Sequence, residues 1–297
     1  MPRSAVHAAA RPPLEGARLG IVMVVGASVL FSTSDATAKF VTQTLPVVEV
    51  AWVRYLVFVL LASLPLARRG GGSLWRTRRP WLQSLRGVAI VASAIFFILG
   101  LRVLPMADAA AINFVSPLFI TALSVPLLGE TVGLRRWIAV VVGLCGAVIA
   151  AQPGSDAFRP AAALPVLSAV AWALGIIATR RLGATDAPAT TVLWTAVSGL
   201  FVLTCLLPFE ARVPTPTELA LCLLIGVVAS GGQWMVVLGY RQAPASLLAP
   251  FSYLQLIWST LLGFIVFGAR PAPATLIGAG VIAASGLYTA SRERAAR

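Results

Sequence analysis

Four polar side chains recur along the first long apolar segment of this 297-residue chain. Ser28, Ser32, Asp35 and Lys39 are spaced by four, three and four residues, so they share one face of an α-helix. Polar groups exposed to acyl chains are strongly disfavoured, and we therefore expect this stripe to face the interior of a helical bundle. An aspartate at that depth is a candidate to hold a ligand or a proton. Neutralisation by Lys39, one turn away, is the alternative.

The composition indicates that lipid is the main solvent of the chain. Apolar residues make up 59% of it and charged residues only 11%, too few to cover a globular surface. Ten apolar runs have about the length needed to cross a bilayer as helices. They span residues 19–41, 46–67, 81–101, 105–128, 134–151, 160–180, 189–209, 217–239, 246–267 and 272–289. The runs are continuous rather than alternating, which excludes a β-barrel and predicts an all-α integral membrane protein.

The net charge of +13 is distributed unevenly along the chain. When ten helices are threaded through a membrane, most arginines at or beyond the ends of the runs fall on one side. These are Arg68, Arg69, Arg76, Arg78, Arg79, Arg135, Arg136, Arg180, Arg181 and Arg241, with further arginines in both tails. This asymmetry follows the positive-inside rule, so we expect both termini in the cytoplasm. We therefore interpret the positive charge as the feature that orients the chain in the membrane. Membrane lipid is an expected partner, and nucleic acid is not.

Two halves of the sequence repeat one another. The segment that begins at Gly100 aligns with the segment that begins at Gly239, at a constant offset of 139 residues. The matched pairs include Gly100 with Gly239, Phe114 with Tyr253, and Gly129 with Gly268. We predict a cytoplasmic tail over residues 1–18, five-helix repeats over 19–152 and 160–290, and a basic tail over 291–297. Because five is odd, the repeats are inverted in the membrane, an arrangement that permits alternating access to a central site.

The candidate binding residues combine aromatic faces with polar groups on the inward stripes. Aromatic rings stack on an apolar ligand, while a few polar groups fix its orientation. The candidates are Phe31, Ser32, Asp35, Asn113, Trp172, Gln233, Trp234, Ser252, Tyr253 and Gln255. For each aromatic residue, packing against lipid or at the interface is the alternative.

Five residues are candidates for coupling or gating: Asp35, Lys39, Arg54, Glu130 and Pro117. Lys39 lies near a helix end, where its ammonium is expected to extend to the headgroups. Arg54 is expected to pair with Glu49 or with an interfacial carbonyl. Pro117 marks either a hinge or a static kink, and Glu130 lies in a loop or gate at the end of the fourth run.

The sequence argues against catalysis. Histidine is absent from the apolar runs, no acidic cluster or nucleophile with a neighbouring base is visible, and no nucleotide-binding loop is present. We therefore predict no catalytic residue, no metal and no cofactor. A channel would need a continuous polar lining, which Asp35 alone does not supply.

The motifs resemble a known family. They are "FSTSDATAKF" from Phe31, "LRVLPMADAAAINFVSPLFITALSVPLLGETV" from Leu101, "GLCGAVIAA" from Gly143 and "GYRQAPASLLAPFSYLQLIWSTLLGFIVFG" from Gly239. Together they are similar to EamA-type members of the drug/metabolite transporter superfamily, which have ten helices in two inverted halves. The resemblance implies a monomeric or homodimeric secondary transporter of the bacterial inner membrane that exports small metabolites, including nucleosides and drugs. A narrower resemblance, to the YddG-type aromatic amino acid exporters, implies amino acids with aromatic or apolar side chains.

Overall fold

The computed structural model describes residues 14–69, 75–129, 133–151, 160–182, 185–209, 212–242, 248 and 251–295. Within these ranges the chain is α-helical, with two short 3-10 segments, Pro160–Ala162 and Leu207–Phe209, and without β-strands. The helices are α1 (Leu14–Val41), α2 (Val47–Arg69), α3 (Pro80–Val103), α4 (Met106–Asn113), α5 (Ser116–Leu128), α6 (Leu134–Ala151), α7 (Ala163–Leu182), α8 (Pro188–Leu206), α9 (Pro216–Gln242), α10 (Leu254–Phe267) and α11 (Pro273–Ala295).

Many of these helices have the length and apolar composition of membrane spans. Six segments are long enough to cross a bilayer: Gly16–Val41, Pro80–Val103, Met106–Leu128, Pro160–Leu182, Ala189–Phe209 and Pro216–Val236. Three shorter apolar helices accompany them, Trp137–Ala151, Leu254–Phe267 and Pro273–Ser285. The described residues confirm the all-α fold, whereas the count of ten crossings stays a prediction.

The fourth predicted helix, over residues 105–128, is broken into α4 and α5 at Phe114 and Val115. Pro117 has no N–H, so the Asn113 carbonyl loses the donor four residues ahead of it. The backbone tightens there, and the Leu118 N–H donates to the Val115 carbonyl at 2.9 Å. The run therefore forms one spanning segment, Met106–Leu128, with a break beside Pro117, where the sequence predicted a hinge or a kink.

The second half of the chain has a break at the equivalent position. Tyr253, the partner of Phe114 in the sequence alignment, precedes α10, and the Leu256 N–H donates to its carbonyl at 3.0 Å. The helices that follow the two breaks, α5 and α10, end at Gly129 and Gly268, whose φ angles are +71° and +64°. Glycine is favoured in this left-handed conformation, and it closes the helix end.

Equivalent helices of the two repeats each pack against helices of the opposite half. Helix α3 packs against α7 and α8, and its equivalent α9 packs against α1 and α2. Matching glycines allow both close approaches: a Cβ at Gly87 would lie 2.6 Å from Ser198 of α8, and one at Gly226 would lie 2.6 Å from Val57 of α2. The two glycines are 139 residues apart, the same offset as the sequence repeat.

Candidate functional site

The polar stripe of α1 meets α10 in the interior of the bundle. Asp35 is 8% exposed, and Ser28 and Ser32 are also buried, which confirms the prediction that this face points inward. The Gln255 side-chain amide donates to Asp35 Oδ2 at 3.4 Å. The hydroxyl oxygens of Ser32 and Ser259 also lie 3.4 Å apart. The sequence candidates Ser32, Asp35 and Gln255 therefore come together where the first half contacts the second.

The Asp35 carboxylate is only loosely satisfied by this arrangement. Its contact with Gln255 is longer than the usual N–H···O distance of about 2.7–3.2 Å. Asp35 makes no direct ion pair in the described part of the chain. A buried carboxylate in this condition retains acceptor capacity for a ligand or for a proton.

Lys39 closes the end of α3. Its ammonium donates to the carbonyls of Leu101 and Leu104 at 2.5 and 2.6 Å, and it lies 5.5 Å from the centre of the Phe267 ring. The carbonyl end of a helix attracts a cation, and an aromatic face adds to that attraction. The Lys39 ammonium thus contacts protein carbonyls, and its extension to the headgroups stays a prediction.

Arg54 does not pair with Glu49, contrary to the sequence expectation. Glu49 Oε2 instead accepts the backbone N–H of Arg212 at 3.2 Å. Arg54 is half-buried on α2 and makes no direct ion pair with Asp35 within the described residues.

An aromatic pair marks the two helix breaks. The ring centroids of Phe114 and Tyr253 lie 5.3 Å apart, with the rings inclined at 37°. Beside them, the Asn113 side-chain oxygen is buried and accepts no hydrogen bond within the described residues. Phe31 packs over Gly232 of α9, where a Cβ would lie 3.0 Å from the ring.

The remaining candidates are more scattered. Gln233 and Trp234 lie half-buried on α9, and Ser252 lies half-buried beside Tyr253. Two candidates are exposed, namely Trp172 on α7, with 37% of its surface accessible, and Pro117 in the first turn of α5. Glu130 lies outside the described residues.

Sequence reasoning did not single out Arg86, which ties α3 to two helices of the second half. Its Nε donates to Thr179 Oγ1 at 2.6 Å, and Nη1 donates to the Thr191 carbonyl at 3.2 Å and to Thr195 Oγ1. One turn earlier, the Gln83 amide donates to Asp186 at 2.8 Å. The sequence did contain a signal for these contacts, because an arginine and a glutamine lie three residues apart within an apolar run.

Comparison with known proteins identifies the family. A sequence model of the EamA-like transporter family matches residues 18–152 and 159–290. The chain belongs to this family. It is therefore a transporter of small molecules and not an enzyme, and it is a multi-pass membrane protein.

Several named relatives align over nearly their whole length. A riboflavin transporter of Rhizobium johnstonii is 34% identical over 93% of this chain and 92% of the relative. An S-adenosylmethionine uptake transporter of Rickettsia bellii is 28% identical over 94% and 95%. The pseudopaline exporter CntI of Pseudomonas aeruginosa is 28% identical over 89% and 93%.

One solved structure shows the same fold. It aligns with a TM-score of 0.64 and 21% identity, over 92% of this chain and 98% of the solved chain. The named relatives above include one uptake transporter and one exporter, so family membership leaves the direction of transport open.

Proposed function

We propose that the protein is a secondary carrier of the bacterial inner membrane that moves a small organic metabolite by alternating access. The observation that carries this proposal is the buried, loosely bonded Asp35 carboxylate at the contact between α1 and α10. Helix α1 belongs to the first sequence repeat and α10 to the second, so the site lies where the halves meet. Ten crossings, two inverted five-helix halves and cytoplasmic termini complete the proposal.

The charges near this site favour a substrate with both an ammonium and a carboxylate group. Asp35 offers a negative group and Arg54 a positive one, and the two do not neutralise each other by direct contact. The Phe114 and Tyr253 rings and the Phe31 ring supply apolar faces in the same bundle. An amino acid with an aromatic or apolar side chain combines these features, and we propose export of that class. S-adenosylmethionine also carries an amino acid group.

Riboflavin is the second candidate substrate, because a riboflavin transporter is 34% identical to this chain. Its flat ring system suits stacking on the aromatic pair, but it has neither charged group. Nucleosides and drug-like molecules lack the zwitterionic group in the same way. The effect of neutralising Arg54 therefore distinguishes an amino acid substrate from these alternatives.

Counterflow into proteoliposomes tests the proposal with labelled tryptophan, phenylalanine, S-adenosylmethionine, riboflavin and uridine. We expect an amino acid to cross faster than in protein-free vesicles, and Arg54→Met to weaken its apparent affinity about tenfold or more, as for a charged hydrogen bond. Arg102→Met, an exposed arginine at the end of α3, is the matched control. Riboflavin flux that Arg54→Met leaves intact would select the second candidate. Absence of flux for every solute would contradict the carrier.

A further inference from the structure

A cavity with a volume of about 340 Å³ opens at the end of the bundle where α2 begins, α8 ends and α9 begins. Its walls include Glu49, Trp52 and Val53 of α2, together with Leu207, Val213 and Leu219. None of the Asp35 cluster lines it. The volume is near the lower end of the range for small-molecule sites, about 300–1,000 Å³, and suits a headgroup rather than a whole lipid.

Glu49 places a negative charge in this mostly apolar wall. The residue is 6% exposed, and its one hydrogen bond in the described part of the chain comes from the Arg212 backbone N–H at 3.2 Å. A buried carboxylate is costly unless a cation or several donors accompany it. This carboxylate therefore has unmet capacity for a positive group.

The arginine in the cavity lining is already paired with another carboxylate. The Arg212 guanidinium pairs with Glu218 Oε1 at 2.6 Å. Glu218 is fixed in turn by the Thr44 hydroxyl at 2.7 Å and by the Thr215 N–H and hydroxyl at 2.9 Å. The Arg212 guanidinium is therefore directed to Glu218, and Glu49 is left to an external partner.

An aromatic face completes the cavity. The Trp52 indole N–H donates to Thr204 Oγ1 at 2.9 Å, which fixes the ring in the wall beside Glu49. A carboxylate and an indole face together attract an ammonium group. Phe209 and Val213, at this same end, are 83% and 90% exposed, so the approach to the cavity runs over apolar surface.

We propose that this cavity binds the primary ammonium headgroup of a phosphatidylethanolamine-type lipid from the bilayer. The ammonium donates to Glu49 and lies against Trp52, while the lipid phosphate stays outside the cavity. The acyl chains follow the apolar surface near Phe209 and Val213. The proposal does not depend on which metabolite the central site carries.

Native mass spectrometry of the full-length protein, released from nanodiscs of defined lipid mixtures, tests this site. We expect the wild type to retain phosphatidylethanolamine over phosphatidylglycerol and over trimethylated phosphatidylcholine, which has no N–H donor. Glu49→Gln keeps the size and the acceptor for Arg212, so it should fold and lose this preference about tenfold, the lower range for a charged hydrogen bond. Asp186→Asn makes the same chemical change outside the cavity and should retain the preference.

A second variant and a competition experiment test the same site independently of Glu49→Gln. Trp52→Leu removes the aromatic wall but keeps Glu49, and it should weaken retention of the same lipid whether or not Glu49→Gln folds. Equal retention of the three lipids by the wild type would overturn the proposal, as would unchanged retention by both variants. Displacement of the lipid by soluble ethanolamine at the same concentration as the lipid would also overturn the proposal, because the site would then recognise a free amine.

Discussion

Phe114 and Tyr253 pack against each other with their ring centroids 5.3 Å apart, although 139 residues separate them in the chain. The sequence repeat makes them equivalent positions of the two halves. Equivalent residues of two copies meet only where the axis relating the copies passes between them. The helix breaks after α4 and before α10 therefore lie beside the axis that relates the two repeats.

The first prediction concerns the energy of this contact. In a double-mutant cycle, Phe114→Ala and Tyr253→Ala should be coupled by about 0.5–1.5 kcal/mol in the free energy of unfolding, the usual range for aromatic pairs. Tyr253→Phe keeps the ring and should remain close to wild type. Unfolding in detergent, followed by circular dichroism, measures both effects. Additive losses from the two alanine variants would show that the rings do not stabilise each other.

Much of the framework followed from the sequence. Apolar runs, the 139-residue offset and the spacing of Ser28, Ser32 and Asp35 are one-dimensional signals with a direct physical meaning, and the buried stripe agrees with them. The break at Phe114 was harder to predict, because the apolar run continues through it. The presence of Pro117 left both a hinge and a kink open, and only the backbone geometry shows where hydrogen bonding changes.

The partners of the charged residues could not be predicted in the same way. Lys39 binds carbonyls of α3, and Arg86 binds hydroxyls and a carbonyl of α7 and α8. Backbone carbonyls and threonines have no charge pattern along a sequence, so nothing in the chain indicates them as partners. Pairing Arg54 with Glu49 relied on closeness along one helix, and the tertiary contact with Arg212 replaced it.

The second prediction compares two glycines of α11. A Cβ at Gly278 would lie 2.5 Å from the Gly146 carbonyl oxygen of α6, whereas a Cβ at Gly280 would meet nothing within 4 Å. Gly278→Ala should therefore lower the free energy of unfolding by about 1–3 kcal/mol through overpacking. Gly280→Ala should be neutral or stabilising by up to about 1 kcal/mol. Equal effects in thermal unfolding would contradict the close packing of α6 and α11.

The third prediction tests Asp35 as a coupling group. Because its carboxylate is buried and loosely bonded, its protonation would change the charge of the site directly. Asp35→Asn should abolish accumulation driven by a proton gradient while leaving substrate exchange at equal pH measurable. Asp35→Glu, which keeps the charge, should retain part of the accumulation. Proteoliposome uptake with and without an imposed gradient separates these cases, and unchanged transport by Asp35→Asn at every pH would assign Asp35 a structural role.

The fourth prediction concerns Lys39 at the end of α3. Lys39→Met removes the donors to the Leu101 and Leu104 carbonyls, so the free energy of unfolding should fall by about 0.3–2 kcal/mol, the range for a cation at a helix carbonyl end. Arg102→Met removes an exposed positive charge from the same end and serves as the control. Equal stability of the two variants in detergent would show that the carbonyl contacts of Lys39 contribute nothing.

Asp186, in the connection between α7 and α8, provides a test against pH. Burial on its own raises the pKa of Asp186, but hydrogen bonds from Thr77, Gln83, the Arg78 backbone N–H and Thr185 outweigh it and hold the pKa below its ordinary value. A carboxylate of this kind stabilises the folded state above its unfolded pKa of about 3.9. That contribution disappears as the pH falls through the lower, folded value.

The fifth prediction follows from that sign. Wild type should be more stable than Asp186→Asn by a constant margin from about pH 7 to about pH 5, and the margin should shrink as the pH falls below about 4. Thr77→Val removes one donor but keeps the carboxylate. The margin of wild type over Thr77→Val should therefore be smaller than the margin over Asp186→Asn, and it should shrink over the same pH interval. Thermal unfolding across this pH series measures both margins. A margin for Asp186→Asn that stayed constant to the lowest pH would mean that the ionised carboxylate is not what stabilises this connection.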